Sequence, residues 1–158
     1  MTIEPAQLAS LTIQITIDAT REKVWTSLTR DIDQWWPADF YNGGDEGTRS
    51  FSLETEPGGR MYEQWDDGGG VLWGHVVSIV PNQQLQILGS VFPNFGGPTQ
   101  WFGTWKLDEH NGQTTLTYTE SDIGRVSDKG TDEKDQGWRY LFGCLQAFVE
   151  GRKAPTWG

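Results

Sequence analysis

The acidic residue whose surroundings the sequence fixes best is Glu120. Asn111-Gly112 separates two alternating runs, residues 101–108 and 114–122, and Asn-Gly between such runs signals a two-residue hairpin turn. That turn pairs His110 with Gln113, and every further pair keeps the same sum of residue numbers. Leu107 then faces Leu116, Trp105 faces Tyr118, Gly103 faces Glu120 and Trp101 faces Asp122. These pairs share one side of the pleat, and the Leu–Leu and Trp–Tyr pairs mark it as the inner side. The other side carries Phe102/Ser121, Thr104/Thr119, Lys106/Thr117 and Asp108/Thr115 and is largely polar. Glu120 therefore points inward, with Tyr118 on the same face and a residue without a side chain opposite. A ligand atom, a water or a long side chain must fill that gap. A carboxylate stripped of water rises in pKa unless a cation such as Arg60 or Arg125 compensates. Such a group serves as a buried structural partner, as a ligand contact, or as an acid–base catalyst assisted by Tyr118 or His75.

Other candidates are weaker. His75 lies in the run 71–80, where both alternating sets are apolar, so periodicity leaves its direction open; Glu63 and Arg60 share that ambiguity. His75, His110 and Cys144 have no ligand spacing, so no metal is expected. A single cysteine excludes an internal disulfide, and Cys144 reads as a small buried thiol. There is no phosphate-binding Gly loop with Lys-Ser/Thr and no Gly-x-Ser-x-Gly elbow, so neither a cofactor nor a nucleophile is implied.

The totals narrow the function classes. With 158 residues and a net charge of −10, one domain over 1–158 (core 11–151) is expected, and nucleic acid and anionic membrane surfaces are disfavoured as partners. No signal peptide or membrane span is read, which makes a cytoplasmic location the expectation. Oligomeric state stays open between monomer and weak dimer. Nine tryptophans point to an aromatic core or an aromatic-lined cavity.

A long helix over 132–150, capped by Thr131 or Asp132, positions these groups. Trp138, Leu141, Phe142, Leu145, Phe148 and Val149 form its apolar stripe at about 100° per residue. Arg139, Gln146, Ala147 and Glu150 fall outward. Ahead of it come a strand over 11–18, a short helix opened by Thr20, and a second capped by Asp31 and stopped by Pro37. A loop over 38–50 follows, then six strands. Within the 38–50 loop, residues 42–47 are similar to the signature of cyclic-dinucleotide synthases. The alternating strands and helices of that domain are absent, so a polar surface loop is expected. The aromatic loop 92–98 is expected over one end of the sheet.

One long helix over a curved antiparallel sheet, with two short helices after the first strand, is the helix-grip arrangement. The residues 17–20 with Val24-Trp25, Trp35-Trp36-Pro37, Pro57-Gly58-Gly59-Arg60, Gly74-His75-Val76-Val77 and Gly137-Trp138 with Leu141 and Leu145 together resemble the START-like (SRPBCC) superfamily. Within it they look like the family named for the heat-shock-protein ATPase activator homologue. The resemblance implies an α+β helix-grip (START/Bet v 1-like) shell around a mostly apolar pocket. The expected function is binding of a small hydrophobic molecule. The expected contacts are Trp35, Trp36, Phe40, Trp73, Phe92, Phe95, Trp101, Gly103, Trp105, Tyr118, Glu120, Trp138, Leu141 and Phe142. The alternatives are a cyclase- or hydrolase-type enzyme using Glu120, and a co-chaperone-like interaction module.

Overall fold

The Asn111-Gly112 turn sets the register of the whole sheet. Both residues have positive φ, 52° and 74°, as a type I′ turn demands. Strands β6 (Thr99–His110) and β7 (Gln113–Gly124) accordingly pair as read, with Gly103 opposite Glu120 and Trp105 opposite Tyr118. This computed structural model describes residues 1–158, the side chain of Asp45 excepted, so that side chain of the 42–47 stretch lies outside the described residues. β1 (Gln7–Ile17) pairs with the free edge of β7. β5 (Gln84–Val91), β4 (Gly70–Val80), β3 (Arg60–Trp65) and β2 (Thr48–Leu53) follow on the other side. The result is a seven-stranded antiparallel sheet ordered β1-β7-β6-β5-β4-β3-β2.

Helices α1 (Arg21–Leu28) and α2 (Ile32–Trp35) join β1 to the far edge, followed by a 3-10 turn (Ala38–Phe40) and the single turn α3 (Gly44–Gly47). The long helix α4 (Asp128–Val149) closes the fold. This is the helix-grip α+β architecture. Ile13, Tyr118, Trp105 and Leu85 are successive register partners across β1, β7, β6 and β5, and none is more than 2% exposed. Each buried aliphatic side chain of this kind contributes about 1.5–3 kcal/mol. Among the described residues no helix is long and apolar enough to cross a membrane.

The boundaries depart from the sequence reading for local reasons. α4 starts at Asp128, four residues before the expected start, because Ser127 caps it by accepting from the Gly130 amide at 3.1 Å. β1 starts at Gln7, since residues 7–10 still find partners on β7. The stretch 38–50 is not all loop; Thr48 already pairs with Trp65. Asp31 does not cap α2, its carboxylate being held by Arg30 at 2.8 Å.

The outer side of α4 is also misjudged by the helical projection. Ala147 is buried and Phe148 is 37% exposed. The projection assumes that one face packs and the rest meets water. Here the tail folds back: the Arg152 amide donates to the Ala147 carbonyl at 2.7 Å, and Trp157 packs on Tyr140 at 4.9 Å. Tyr140 and Gly143 lie three residues apart on the face that the tail covers through Trp157 and Pro155. Gln146 is tied to β1 through the Thr16 carbonyl, and Glu150 to the residue that follows the strand through the Asp18 amide.

Candidate functional site

A cavity of about 260 Å³ lies between the sheet and the N-terminal half of α4. Trp36 and Phe40 enter from the α2 end, Met61 from β3, Trp73 from β4, Val91 from β5 and Trp101 from β6. Trp138, Leu141 and Gly137 come from α4, and Glu120 with Lys134 and Glu133 closes the polar end. Several walls are aromatic: Trp36 and Trp138 meet edge to face at 6.3 Å and 86°, and Trp36 stacks on buried Phe51 at 4.5 Å. The Trp36 and Trp105 indole nitrogens have no hydrogen-bond partner.

Glu120 is buried as the hairpin register requires. Its Oε2 accepts from the Tyr118 hydroxyl and from Trp138 Nε1, the latter at 3.0 Å. Its Oε1 meets the Lys134 ammonium and has no other partner. Lys134 also reaches Asp122 Oδ1 at 2.6 Å. Burial raises the Glu120 pKa, and the Lys134 charge and the Tyr118 and Lys134 hydrogen bonds offset only part of that rise. Burial together with the neighbouring Glu120 carboxylate holds the Tyr118 hydroxyl well above its ordinary value.

The other expected contacts divide by position. Trp105, Tyr118 and Phe142 stand behind the cavity wall; Phe142 stacks beneath Trp138 at 5.3 Å and Trp105 packs on Tyr118 at 4.7 Å. Trp35 is anchored in the core below, its indole donating to the Ser27 carbonyl at 2.7 Å. Gly103 leaves no gap opposite Glu120, because a Cβ there would stand 3.0 Å from the Trp105 ring and 3.1 Å from the Trp101 ring. The two indoles take that space. Phe92 is 65% exposed on another surface, beside Pro98 and Ile123. Phe95 lies outside the cavity, packing on Trp73 at 6.0 Å. His75 is exposed on the outer face between Arg60 and Leu88, so it does not approach Glu120.

A second buried carboxylate was left undirected by the sequence. Glu63 accepts from the Gly43 amide, the Thr48 hydroxyl and Trp65 Nε1, each at 2.7 Å, and from the Asn42 amide at 3.2 Å. Burial alone would raise its pKa, but these four donors together bring it below the ordinary value. Residues 42–43 are thus the donor side of a carboxylate clasp rather than a free polar loop. Among the described residues no group of His, Cys, Asp and Glu side chains is arranged to hold a metal ion.

A profile of the family described as Activator of Hsp90 ATPase homolog 1-like protein matches residues 18–150. The chain belongs to that family. No protein with a curated description matches it. Solved structures of the same fold include an uncharacterized protein from Rhizobium leguminosarum, 22% identical with a TM-score of 0.67, covering 96% of this chain and all of that one. Another is Mll3558 from Rhizobium loti, 20% identical with a TM-score of 0.68, covering 91% of this chain and 99% of that one. A third is Ara h 8.0201, 12% identical with a TM-score of 0.70, covering 92% of this chain and all of that one. At these identities the likeness is one of fold.

In this Activator of Hsp90 ATPase homolog 1-like chain, sequence reading missed Met61, Val91, Glu133, Lys134 and Gly137. Lys134 carried a usable signal. It stands four residues before Trp138 and seven before Leu141, so it continues the apolar stripe upward with a charge at its centre.

The tail bears on the cavity through one wall. Trp157 packs edge to face on Phe40 at 5.3 Å. Trp157→Ala is expected to lower stability by about 0.5–1.5 kcal/mol, the size of such an aromatic contact on a half-exposed ring. A shift in the urea midpoint reports this, and an unchanged midpoint would mean that the tail does not hold Phe40.

Proposed function

We propose that the protein binds a small hydrophobic molecule in the cavity between the sheet and α4. The observation that carries this reading is the cavity itself: about 260 Å³ lined by Trp36, Phe40, Trp73, Trp101 and Trp138, with its charged side chains gathered at one end. Sites for drug-sized ligands run to ~300–1,000 Å³, so the occupant is compact rather than a long-chain lipid. The fold and the family are compatible with this use.

The other two readings find less support. A catalytic base needs a lone pair aimed at substrate, whereas Glu120 Oε2 is taken by Tyr118 and Trp138 and Oε1 is covered by Lys134 unless that side chain moves aside. An interaction module of the kind the family description suggests needs a contiguous exposed apolar patch. On the outer sheet face Leu88 and Phe102 pair, as do Leu8 and Ile123, but Ser10, Ser121 and Gln100 interleave with them.

The test is titration with a neutral apolar probe, phenylbutanol, followed by tryptophan emission. Saturable change is expected, because four indoles line the cavity. Val91→Trp, which fills the space from a half-buried rim position, should abolish the change while leaving the urea midpoint nearly intact. A linear, unsaturable response in the unmodified protein sinks the reading.

A further inference from the structure

The polar end of the cavity carries more negative than positive charge. Glu120 lines it and Asp122 stands behind with Lys134, while Glu133 sits exposed at the mouth, paired with Lys129 at 3.6 Å. Among the described residues lining this cavity, Lys134 is the one cation, and it is shared between two carboxylates that are each at most 5% exposed. Arg125, in the adjoining surface depression, is held instead by Glu4 at 2.9 Å and the Gly97 carbonyl at 3.2 Å. Two buried carboxylates served by one ammonium form an under-compensated site, since charge taken out of water needs a partner of its own.

The walls select in the same direction. The faces of Trp, Tyr and Phe rings are electron-rich and attract cations. Trp36 and Trp138 make a right-angled corner of such rings, with Trp73 and Trp101 across the cavity. Donors suited to an anion are scarce: the Trp138 indole hydrogen is already given to Glu120, and Lys134 is committed twice. Trp36 Nε1 is a neutral donor, buried and without a partner, so it gives an anion no charge to meet.

We propose that the occupant of this cavity is an organic amine, whose ammonium takes the place of Lys134 at Glu120 Oε1 with its apolar body among the indoles. The proposal rests on the binding function argued above and names its ligand class. With the amine in place each buried carboxylate has its own cation, the ligand on Glu120 and Lys134 on Asp122. No bond is made or broken.

The experiment compares three probes of one shape, phenylbutylamine, phenylbutanol and phenylbutyrate, by isothermal titration at neutral pH. The amine should bind roughly tenfold tighter than the alcohol, as a desolvated ammonium among ring faces and a carboxylate allows, and the carboxylate probe should bind weakest. Lys134→Met should widen the amine's advantage, because it frees Oε1 and Asp122. Glu120→Gln should erase it, so that the amine and the alcohol bind alike. If the alcohol binds and the amine is no tighter, the ligand class is wrong and the binding function stands. If phenylbutyrate binds tightest and loses that lead in Lys134→Met, Lys134 is an anion anchor and the proposal is overturned. If none of the three binds, both readings fall. The comparison on the unmodified protein holds even if Glu120→Gln does not fold.

Discussion

Glu63→Leu is expected to destabilise the protein by about 3–5 kcal/mol. The substitution removes the acceptor for two backbone amides, a hydroxyl and an indole. Each buried donor left without a partner costs about 1–3 kcal/mol, and the 42–48 segment recovers part of the sum by opening to water. Glu63→Gln keeps one acceptor oxygen and should cost less. Urea midpoints give the size, and faster hydrogen exchange at the Asn42 and Gly43 amides gives the place. If the two variants unfold together with the unmodified protein, the clasp contributes nothing. The same carboxylate sets a pH dependence. Its folded pKa lies below the ordinary 4.5, so the native state binds fewer protons than the unfolded chain. The stability it adds is fully present above that ordinary value and is lost as pH falls through the folded pKa. Glu120 works in the opposite sense: its raised folded pKa makes the native state bind more protons, so its contribution weakens as pH rises from the ordinary value through the raised one. Glu63→Leu should therefore flatten the acid limb of the stability curve.

The hairpin was legible because turn chemistry and strand alternation are local. Asn111-Gly112 fixed the register, and the register fixed the inward direction of Glu120 and Tyr118 across two long strands. The direction of His75 was not legible for the opposite reason. Register shifts on both flanks of β4, between Met61 and Tyr62 and between Val76 and Ser78, break the period-two rule that any assignment of faces must use. His75 accordingly points out although Trp73, two residues before it, lines the cavity. Phe92 shows a further limit: an aromatic residue in a loop has no period at all, so its type suggested a binding contact that its place excludes. Lys134 was overlooked because polar residues surround it in sequence; only the helix geometry places it above Trp138 and Leu141.

Leu145→Ala should cost about 2–5 kcal/mol, the range for truncating a fully buried leucine. Leu145 has no exposed surface and sits on the α4 face that also buries Leu141, Phe142 and Val149. The spread depends on how far the neighbours collapse into the space left, and the rings of Phe142, Trp138 and Tyr118 are already wedged against one another at 4.5–5.4 Å. That places the expected value in the upper half. Arg139→Ala is the control, since its pairing with Asp135 is a surface contact one turn away, worth about 0.3–0.5 kcal/mol. Ala147 separates the packing described here from a helix that merely lies on the sheet. On such a helix Ala147→Ser is harmless. With Ala147 buried, the added hydroxyl loses water and has only the Gly143 carbonyl one turn back to donate to, so it should cost about 1 kcal/mol. Equal urea midpoints for Ala147→Ser and Arg139→Ala would show that Ala147 is not buried in solution.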